Sequence, residues 1–169
     1  WNWFVQNYPA IAQHLKPFQS KAEKRYDKGE YWWELRTCEY YEEFEKPKII
    51  YPNICKKPEF TLDHNELFTN QKCFIIPNSD KYLLGILNSS TSFFLFNMLL
   101  PKLRGDFFEP SYVYFKDFPI RTIKDNNLSD KSKYNLIISL VEQMLSLNKQ
   151  LAEAKTDHEK TLIQRQIDA

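Results

Sequence analysis

The chain of 169 residues contains only three glycines, and no two of them lie close together in the sequence. Because Gly29, Gly85 and Gly105 are isolated, there is no glycine-rich loop of the kind that cradles a phosphate. The sequence also lacks a Gly-x-Ser-x-Gly nucleophile elbow and a His-Glu-x-x-His metal pair. These absences make a self-contained enzyme the weakest hypothesis for this chain.

Cysteine and histidine are scarce and scattered. The three cysteines, at positions 38, 55 and 73, include no Cys-x-x-Cys pair, and the three histidines show no ligand spacing with them. His64, between Asp63 and Glu66, fits a surface loop better than a metal site. The odd number of cysteines favours a reducing compartment, and no signal peptide is visible. Because the sequence begins at Trp1 without a methionine, we expect it to be an excised piece of a longer cytoplasmic protein.

The sequence has no excess charge of one sign and no long apolar run. Its 23 basic and 22 acidic residues are interleaved, so any surface that binds nucleic acid must be local. A membrane span needs about 20 consecutive apolar residues, and the most apolar stretch is interrupted well before that length. A membrane-spanning protein is therefore not expected.

Aromatic residues are abundant: four Trp, ten Tyr and thirteen Phe make up 16% of the chain. They supply apolar area for one sizeable core, and residues 73–100 are predicted to lie mostly buried at its centre. The pattern there predicts a strand at 73–76 that Pro77 ends, a helix at 81–87, a capped break at 88–91 and a second helix to Leu100.

Three further strands are predicted, at residues 46–52, 60–62 and 112–115. Strands followed by helices, without regular alternation, indicate an α+β fold. We expect a small twisted β-sheet with packed helices, an N-terminal helical lead-in and a long C-terminal heptad helix.

The lead-in combines helical spacing with charge and aromatic rings. Pro17 predicts a kink before a helix over residues 20–26, which Gly29 ends and whose basic side chains form either a solvated face or a phosphate-contacting surface. In a strand the adjacent Trp32 and Trp33 would point to opposite sides, which places one at a surface or an interface. The alternatives for that ring are structural packing and stacking on a nucleobase.

The C-terminal region predicts a single helix that Ser129 caps. Apolar positions in it alternate by three and four residues, which is typical of a heptad seam of roughly three repeats. The seam consists of Ile137, Leu140, Met144, Leu147, Leu151, Ala154 and His158. The narrow stripe should pack on one partner helix, from this chain or from a second copy.

Several of these segments together resemble a known family, the TaqI-like C-terminal specificity domain of adenine-type DNA methyltransferases and fused type IIG restriction-modification enzymes. The resemblance is carried by KPKIIYP at 46–52, FII at 74–76, YLLGILNS at 82–89 and FPI at 118–120, with YPA, LKPF, KR and YWWELR as a similar lead-in. It predicts a lead-in at residues 1–45, a target recognition core at 46–125 and a C-terminal spacer helix at 126–169.

The resemblance implies a DNA-reading module that positions a separate, N-terminal methyltransferase domain. The methyltransferase motif, Asn or Asp followed by Pro-Pro-Tyr or Pro-Pro-Phe, is absent from this sequence, and so is a nuclease signature. The fragment is therefore expected to bind no cofactor, with S-adenosylmethionine and Mg²⁺ belonging to upstream domains. The implied partners are double-stranded DNA, that methyltransferase domain and, through the last helix, a second copy.

Basic loops supply the candidate DNA contacts, because phosphate contacts set the register and loop side chains read bases. The candidates are Arg104, Lys102, Lys56, Lys57, Lys72, Lys24, Arg25, Arg36 and Trp33. Arg104 is the first choice, since an arginine beside Gly105 can approach a groove closely and bind guanine with two hydrogen bonds. The alternative function is a protein-interaction module that docks a partner through the Trp pair and the heptad helix.

Overall fold

The computed structural model describes residues 1–123 and 127–168. They form two compact units, Trp1–Tyr41 and a second unit that begins at Glu42. The first unit consists of short helices: α1 (Asn2–Asn7), α2 (Pro9–Leu15), a 3-10 turn (Lys16–Phe18) and α3 (Gln19–Ala22). Pro17 lies in the 3-10 turn, which confirms the predicted interruption. Helix α3, the last of the first unit, is shorter than predicted.

The helix predicted over residues 20–26 is wrong beyond Ala22. The chain turns there, and two side chains of this segment bind backbone carbonyl oxygens. Arg25 Nη2 donates to the carbonyl oxygens of Trp32, at 3.3 Å, and Glu34, and Lys28 Nζ donates to the carbonyl of Glu23 at 2.7 Å. The Lys28 ammonium thus occupies the carbonyl that Asp27 N would use in a continued helix.

An aromatic cluster fills the first unit. The ring of Trp33 stacks on Tyr31 with centroids 4.7 Å apart and planes 5° apart, and Phe4 and Trp1 lie 5.6 and 5.1 Å from it. Trp32 packs on Trp1 at 4.8 Å. Both adjacent tryptophans are half-buried, because residues 31–34 form turns and the alternation of a strand does not apply.

A short helix, α4 (Tyr41–Phe44), precedes the three-stranded antiparallel sheet of the second unit. Its central strand, β1 (Lys48–Pro52), pairs with β2 (Thr61–Asp63) on one side and β3 (Cys73–Ile76) on the other. Both faces of a central strand are covered here, which is why β1 reads as a continuous apolar run rather than an alternating one. The three strands predicted for this region are confirmed.

Two helices follow the sheet and meet at a capped break. Asp80 caps α5 (Lys81–Leu87) by accepting from Tyr82 N at 2.9 Å, and Ser89 caps α6 (Ser90–Leu99) by accepting from Ser92 N at 3.2 Å. This arrangement confirms the predicted helix, break and helix. Across the residues that the structure describes, no single helix is long and apolar enough to cross a membrane; α5 and α6 reach that length and composition only as a pair bent by 58°.

The core forms around Phe96 of α6, whose side chain is fully buried. Its ring meets those of Phe60, Phe108 and Phe118 edge-on at centroid distances of 6.3, 5.9 and 5.8 Å. Burying one such side chain contributes about 1.5–3 kcal/mol.

Helix α6 is less buried than predicted. A helix packed by one stripe covers positions such as Ser92, Phe96 and Leu100, four residues apart. The other side of α6 therefore exposes large apolar residues, which are Phe93, Phe94, Met98 and Leu99. The expectation that residues 73–100 are mostly buried holds for β3 and α5 better than for this helix.

Residues 112–115 form a helix, α7 (Tyr112–Phe115), so the strand predicted there is wrong. Ser111 precedes it in an extended conformation, and Phe115 N bonds Ser111 O at 2.9 Å in the helical i to i+4 pattern. Of its four residues only Phe115 packs on the core. The β-branched and aromatic composition favours a strand, but a single inward residue is typical of one helical turn.

The C-terminal region forms two helices, α8 (Leu128–Glu153) and α9 (Asp157–Ile167), rather than one. The N-cap of α8 is Asn127, not Ser129: its side chain accepts from the backbone N–H groups of Ser129 and Asp130. Thr156 and Glu159 form a reciprocal capping box that starts α9, so the heptad pattern does not continue as one helix to His158.

Helix α8 packs on α5, which confirms a partner helix within the chain. The packing stripe differs from the predicted seam: Val141 and Leu145 lie against the core, whereas Leu140 and Met144 remain exposed. The approach is close at Gly85, where a Cβ would lie 2.8 Å from Ile137 Cγ2 and 2.9 Å from Val141 Cγ2. The missing side chain at Gly85 therefore sets how closely the two helices pack.

Candidate nucleic-acid interface

The basic loop predicted after α6 is a β-hairpin. Strand β4 (Lys102–Leu103) pairs with β5 (Phe107–Phe108), and the residues Arg104, Gly105 and Asp106 form the tip. Gly105 has φ +86° and Asp106 has φ +59°, so two successive residues adopt the left-handed conformation. This conformation favours glycine and is tolerated by Asp and Asn, which explains the residue types of the tip.

The root of the hairpin is fixed to a second loop by a pair of backbone hydrogen bonds. Cys55 N donates to Phe108 O at 3.1 Å, and Phe108 N donates to Cys55 O at 2.7 Å. Both residues are buried. Because Lys56 and Lys57 directly follow Cys55, this bridge places two lysines beside the hairpin.

Two lysines lie over the phenylalanine rings of β5. Lys56 Nζ is 5.0 Å from the centroid of the Phe107 ring, and Lys102 Nζ is 5.5 Å from that of Phe108. A cation over an aromatic face contributes about 0.5–1 kcal/mol at an exposed site. The rings thus hold two ammonium groups near the surface of the hairpin.

Lys72 approaches the same end of the sheet from β3. Its carbonyl oxygen accepts a hydrogen bond from Asn53 N at 2.9 Å, and Pro52 pairs with Cys73 in the register of β1 and β3. Asn53 begins the loop that carries Lys56 and Lys57. The structure therefore brings together five predicted candidates, here called the basic cluster: Lys56, Lys57, Lys72, Lys102 and Arg104, all of them exposed.

Carboxylates are fewer in these segments. They belong to Glu59, Asp106 and Glu109. Burial raises the pKa of the Cys55 thiol to about 11, with a smaller contribution from Glu59. Since the thiolate is the reactive form, Cys55 serves as a structural residue beneath the basic cluster.

The remaining four candidates, Lys24, Arg25, Arg36 and Trp33, belong to the first unit. Lys24 and Arg36 are exposed. Arg25 binds two backbone carbonyl oxygens, and the ring of Trp33 stacks on Tyr31. The structure gives Arg25 and Trp33 internal partners, so each has a role in holding the first unit together.

A groove of about 630 Å³ opens next to the basic cluster, between Lys57, the junction of α5 and α6, and helix α8. Its polar lining consists of amides and hydroxyls such as Asn88, Ser89 and Asn148. Within residues 1–123 and 127–168, no three His, Cys, Asp or Glu side chains are grouped to hold a metal ion.

Sequence reasoning identified the cations but missed the tip carboxylate, Asp106. The dipeptide Gly105-Asp106, after Lys102 and Arg104, is a turn signal in the sequence. The pairing of Leu103 with Phe107 makes this turn the tip of a hairpin that exposes Arg104 and Asp106. Strands of only two residues gave no sequence signal for that pairing.

A family model described as TaqI-like C-terminal specificity domain matches residues 8–120, which is more than half of the chain. The comparison with curated proteins gave no match.

Proposed function

Because the chain belongs to the family of TaqI-like C-terminal specificity domains, we propose that it reads a short DNA sequence and positions a separate methyltransferase domain on it. A specificity domain of this family is a target-recognition module of restriction-modification enzymes. The proposed parent protein is a type IIG restriction enzyme or an adenine-type DNA methyltransferase. Its S-adenosylmethionine and any Mg²⁺ would bind in other domains, and the predicted cytoplasmic location follows from this function.

The observation that carries the proposal is the convergence of three loops into the basic cluster. The bridge of Cys55 with Phe108 and the bond from Asn53 to Lys72 join segments far apart in sequence, and five exposed cations lie on the hairpin and on the segments joined to it. The major groove of DNA admits a two-stranded β-ribbon. In this proposal Arg104 reads guanine, and the four lysines contact phosphates and fix the register.

Lys24 and Arg36 of the first unit are proposed as additional phosphate contacts, because both are exposed cations. Arg25 and Trp33 are left out of the proposed contact set because their side chains already bind within the unit. The salt series of DNA affinities described below tests Lys24 and Arg36 in the same way as the basic cluster.

The second candidate function is a protein-interaction module. It is supported by the exposed apolar residues Leu136 and Leu140 on α8, which lie outside the stripe that packs on α5. In this second candidate function a helix of another protein or of a second copy covers them, and the second case is the helix-mediated dimer. Replacing Leu136 and Leu140 with Lys would then lower the mass of the assembly in light scattering without changing DNA affinity.

The experiment that tests DNA recognition measures affinity for duplexes over a series of salt concentrations, with the full-length protein that carries this chain. A selection from a random duplex pool first identifies the preferred sequence. Replacing Lys56, Lys57 or Lys72 with Ala should weaken binding to all sequences and reduce the slope of log affinity against log salt by about one per phosphate contact.

The matched controls replace Lys131 and Lys133 of α8 with Ala, since both are exposed lysines of the same unit at the opposite end of α8 from Asn148, which lines the groove beside Lys57. They should leave affinity and salt slope unchanged. Equal losses in the control and cluster variants would mean that binding depends on overall charge only. The absence of any preferred sequence in the selection would reject the proposed function.

A further inference from the structure

The tip of the hairpin carries two opposite charges that do not bind each other. Arg104 and Asp106 are two residues apart and both exposed. Among the residues that the structure describes, no hydrogen bond or ion pair engages either side chain. Both groups therefore remain available to a ligand.

The tip is held in place from below. Phe108 is buried, and both its N–H and its carbonyl are bonded to the backbone of Cys55. The Phe107 ring lies close to Gly105: a Cβ at position 105 would be 3.4 Å from two carbons of that ring. The chain between Leu103 and Phe107 thus starts and ends at paired residues. A tip fixed in this way presents its side chains at defined positions, which base reading requires.

The backbone at position 106 permits a carboxylate but does not require one. A φ of +59° is most easily adopted by glycine and is accessible to asparagine and aspartate alike. A negative charge amid the basic cluster repels phosphates and weakens non-specific binding to DNA. The negative charge is consistent with a partner that donates a hydrogen bond. A carboxylate recognises such a donor better than glycine or asparagine does.

Resting on the proposed function, we infer that Asp106 is a specificity-determining residue that recognises cytosine while Arg104 recognises guanine. In the major groove the cytosine N4 amino group is a donor that carboxylates accept. Guanine and thymine present acceptors there that a carboxylate repels, and adenine presents its N6 donor beside the N7 acceptor. Two residues span at most about 7 Å, or about two base-pair rises, so the cytosine is expected within two base pairs of the one that Arg104 reads.

The test compares the full-length protein with two variants in duplex binding. D106N keeps the size and the left-handed backbone but removes the charge, and D106G keeps the backbone and removes the whole side chain. The probes are the selected duplex and versions in which each base pair is replaced in turn. D117N, which changes an exposed carboxylate after α7, is the control.

We expect the unaltered protein to prefer a cytosine by roughly 5- to 100-fold at one position within two base pairs of the Arg104-dependent guanine. D106G should reduce that preference to less than about threefold, leave the other positions unchanged and bind random duplex more tightly, whereas D117N should keep every preference. If both Asp106 variants keep the whole base preference and affinity changes equally for all sequences, the inference is overturned and the proposed function stands. A protein without any base preference overturns both.

Discussion

Lys48 Nζ lies 2.5 Å from Asp63 Oδ2, and the two side chains expose only 0% and 2% of their surface to solvent. The two residues face each other in the register of β1 and β2. The ammonium also donates to Phe44 O at 2.5 Å, while the carboxylate accepts from the backbone N–H groups of Asn65 and Leu67. This buried pair joins the sheet to the segments on either side of it.

Removing one member of this pair should be more costly than removing both. Asp63→Ala leaves a buried ammonium without its counter-charge, which lowers the free energy of unfolding by about 3–5 kcal/mol. The double change of Lys48→Met with Asp63→Leu leaves no charge behind and should recover most of that loss. Chemical denaturation measures both, and Lys46→Met, in an exposed pair with Glu43, is the control and should have little effect. If Asp63→Ala and the double variant are equally stable, the unpaired ammonium of Lys48 carries no desolvation cost and the prediction is wrong.

The same pair predicts a dependence of stability on acid. Burial alone would raise the pKa of the Asp63 carboxyl, but the hydrogen bonds from Lys48, Asn65 and Leu67 outweigh it, and the pKa lies below its usual value. A lowered folded-state pKa means that this stabilisation is full above the unfolded-state pKa of about 3.9 and is lost as pH falls through the folded-state value.

We therefore expect the free energy of unfolding of the native chain to decline from about pH 5 downward more steeply than that of the Lys48→Met, Asp63→Leu variant. Denaturation curves at a series of pH values check this. Parallel declines of the two proteins would mean that other carboxylates dominate acid unfolding.

The elements that were predicted correctly are those whose sequence signals are local. Pro77 stops β3, and Asp80 and Ser89 start α5 and α6 by binding backbone donors two or three residues ahead. The helix at residues 112–115 depended instead on tertiary contacts. The start of α9 did have a local signal, the capping-box spacing of Thr156 and Glu159, which was missed because the heptad spacing was followed through it to His158.

The sequence named the residues of the basic cluster as candidates but did not predict their arrangement. A nearby glycine or proline marks Lys56, Lys57, Lys102 and Arg104, and Lys72 directly precedes a predicted strand. Their proximity depends on the backbone bonds of Cys55 with Phe108 and of Asn53 with Lys72, which join segments about 20 to 50 residues apart. No local pattern encodes such pairings.

Gly85 should not tolerate a side chain. A Cβ there would lie within 2.9 Å of methyl groups of Ile137 and Val141, so Gly85→Ala overpacks the contact between α5 and α8 and should lower the free energy of unfolding by about 1–3 kcal/mol. Adding Val141→Ala removes one of the clashing methyl groups and should recover part of the loss. Thermal or chemical denaturation of the two variants measures it. A Gly85→Ala protein as stable as the native one would show that the helices separate without cost.

Gly105 should control base reading through the shape of the hairpin tip. With φ +86°, an alanine there costs about 1–2 kcal/mol, and its Cβ would also meet the Phe107 ring at 3.4 Å. We expect Gly105→Ala to relax the tip, displace Arg104 and lower the ratio of affinities for the selected and random duplexes, while phosphate binding by the lysines persists.

Gly105→Asn is the matched control, because asparagine adopts this conformation more readily and should keep more of the ratio. Duplex binding at one fixed salt concentration gives the ratio for each protein. If Gly105→Ala keeps the native ratio, the bases are read from another part of the surface, since the altered tip could not present Arg104 as before.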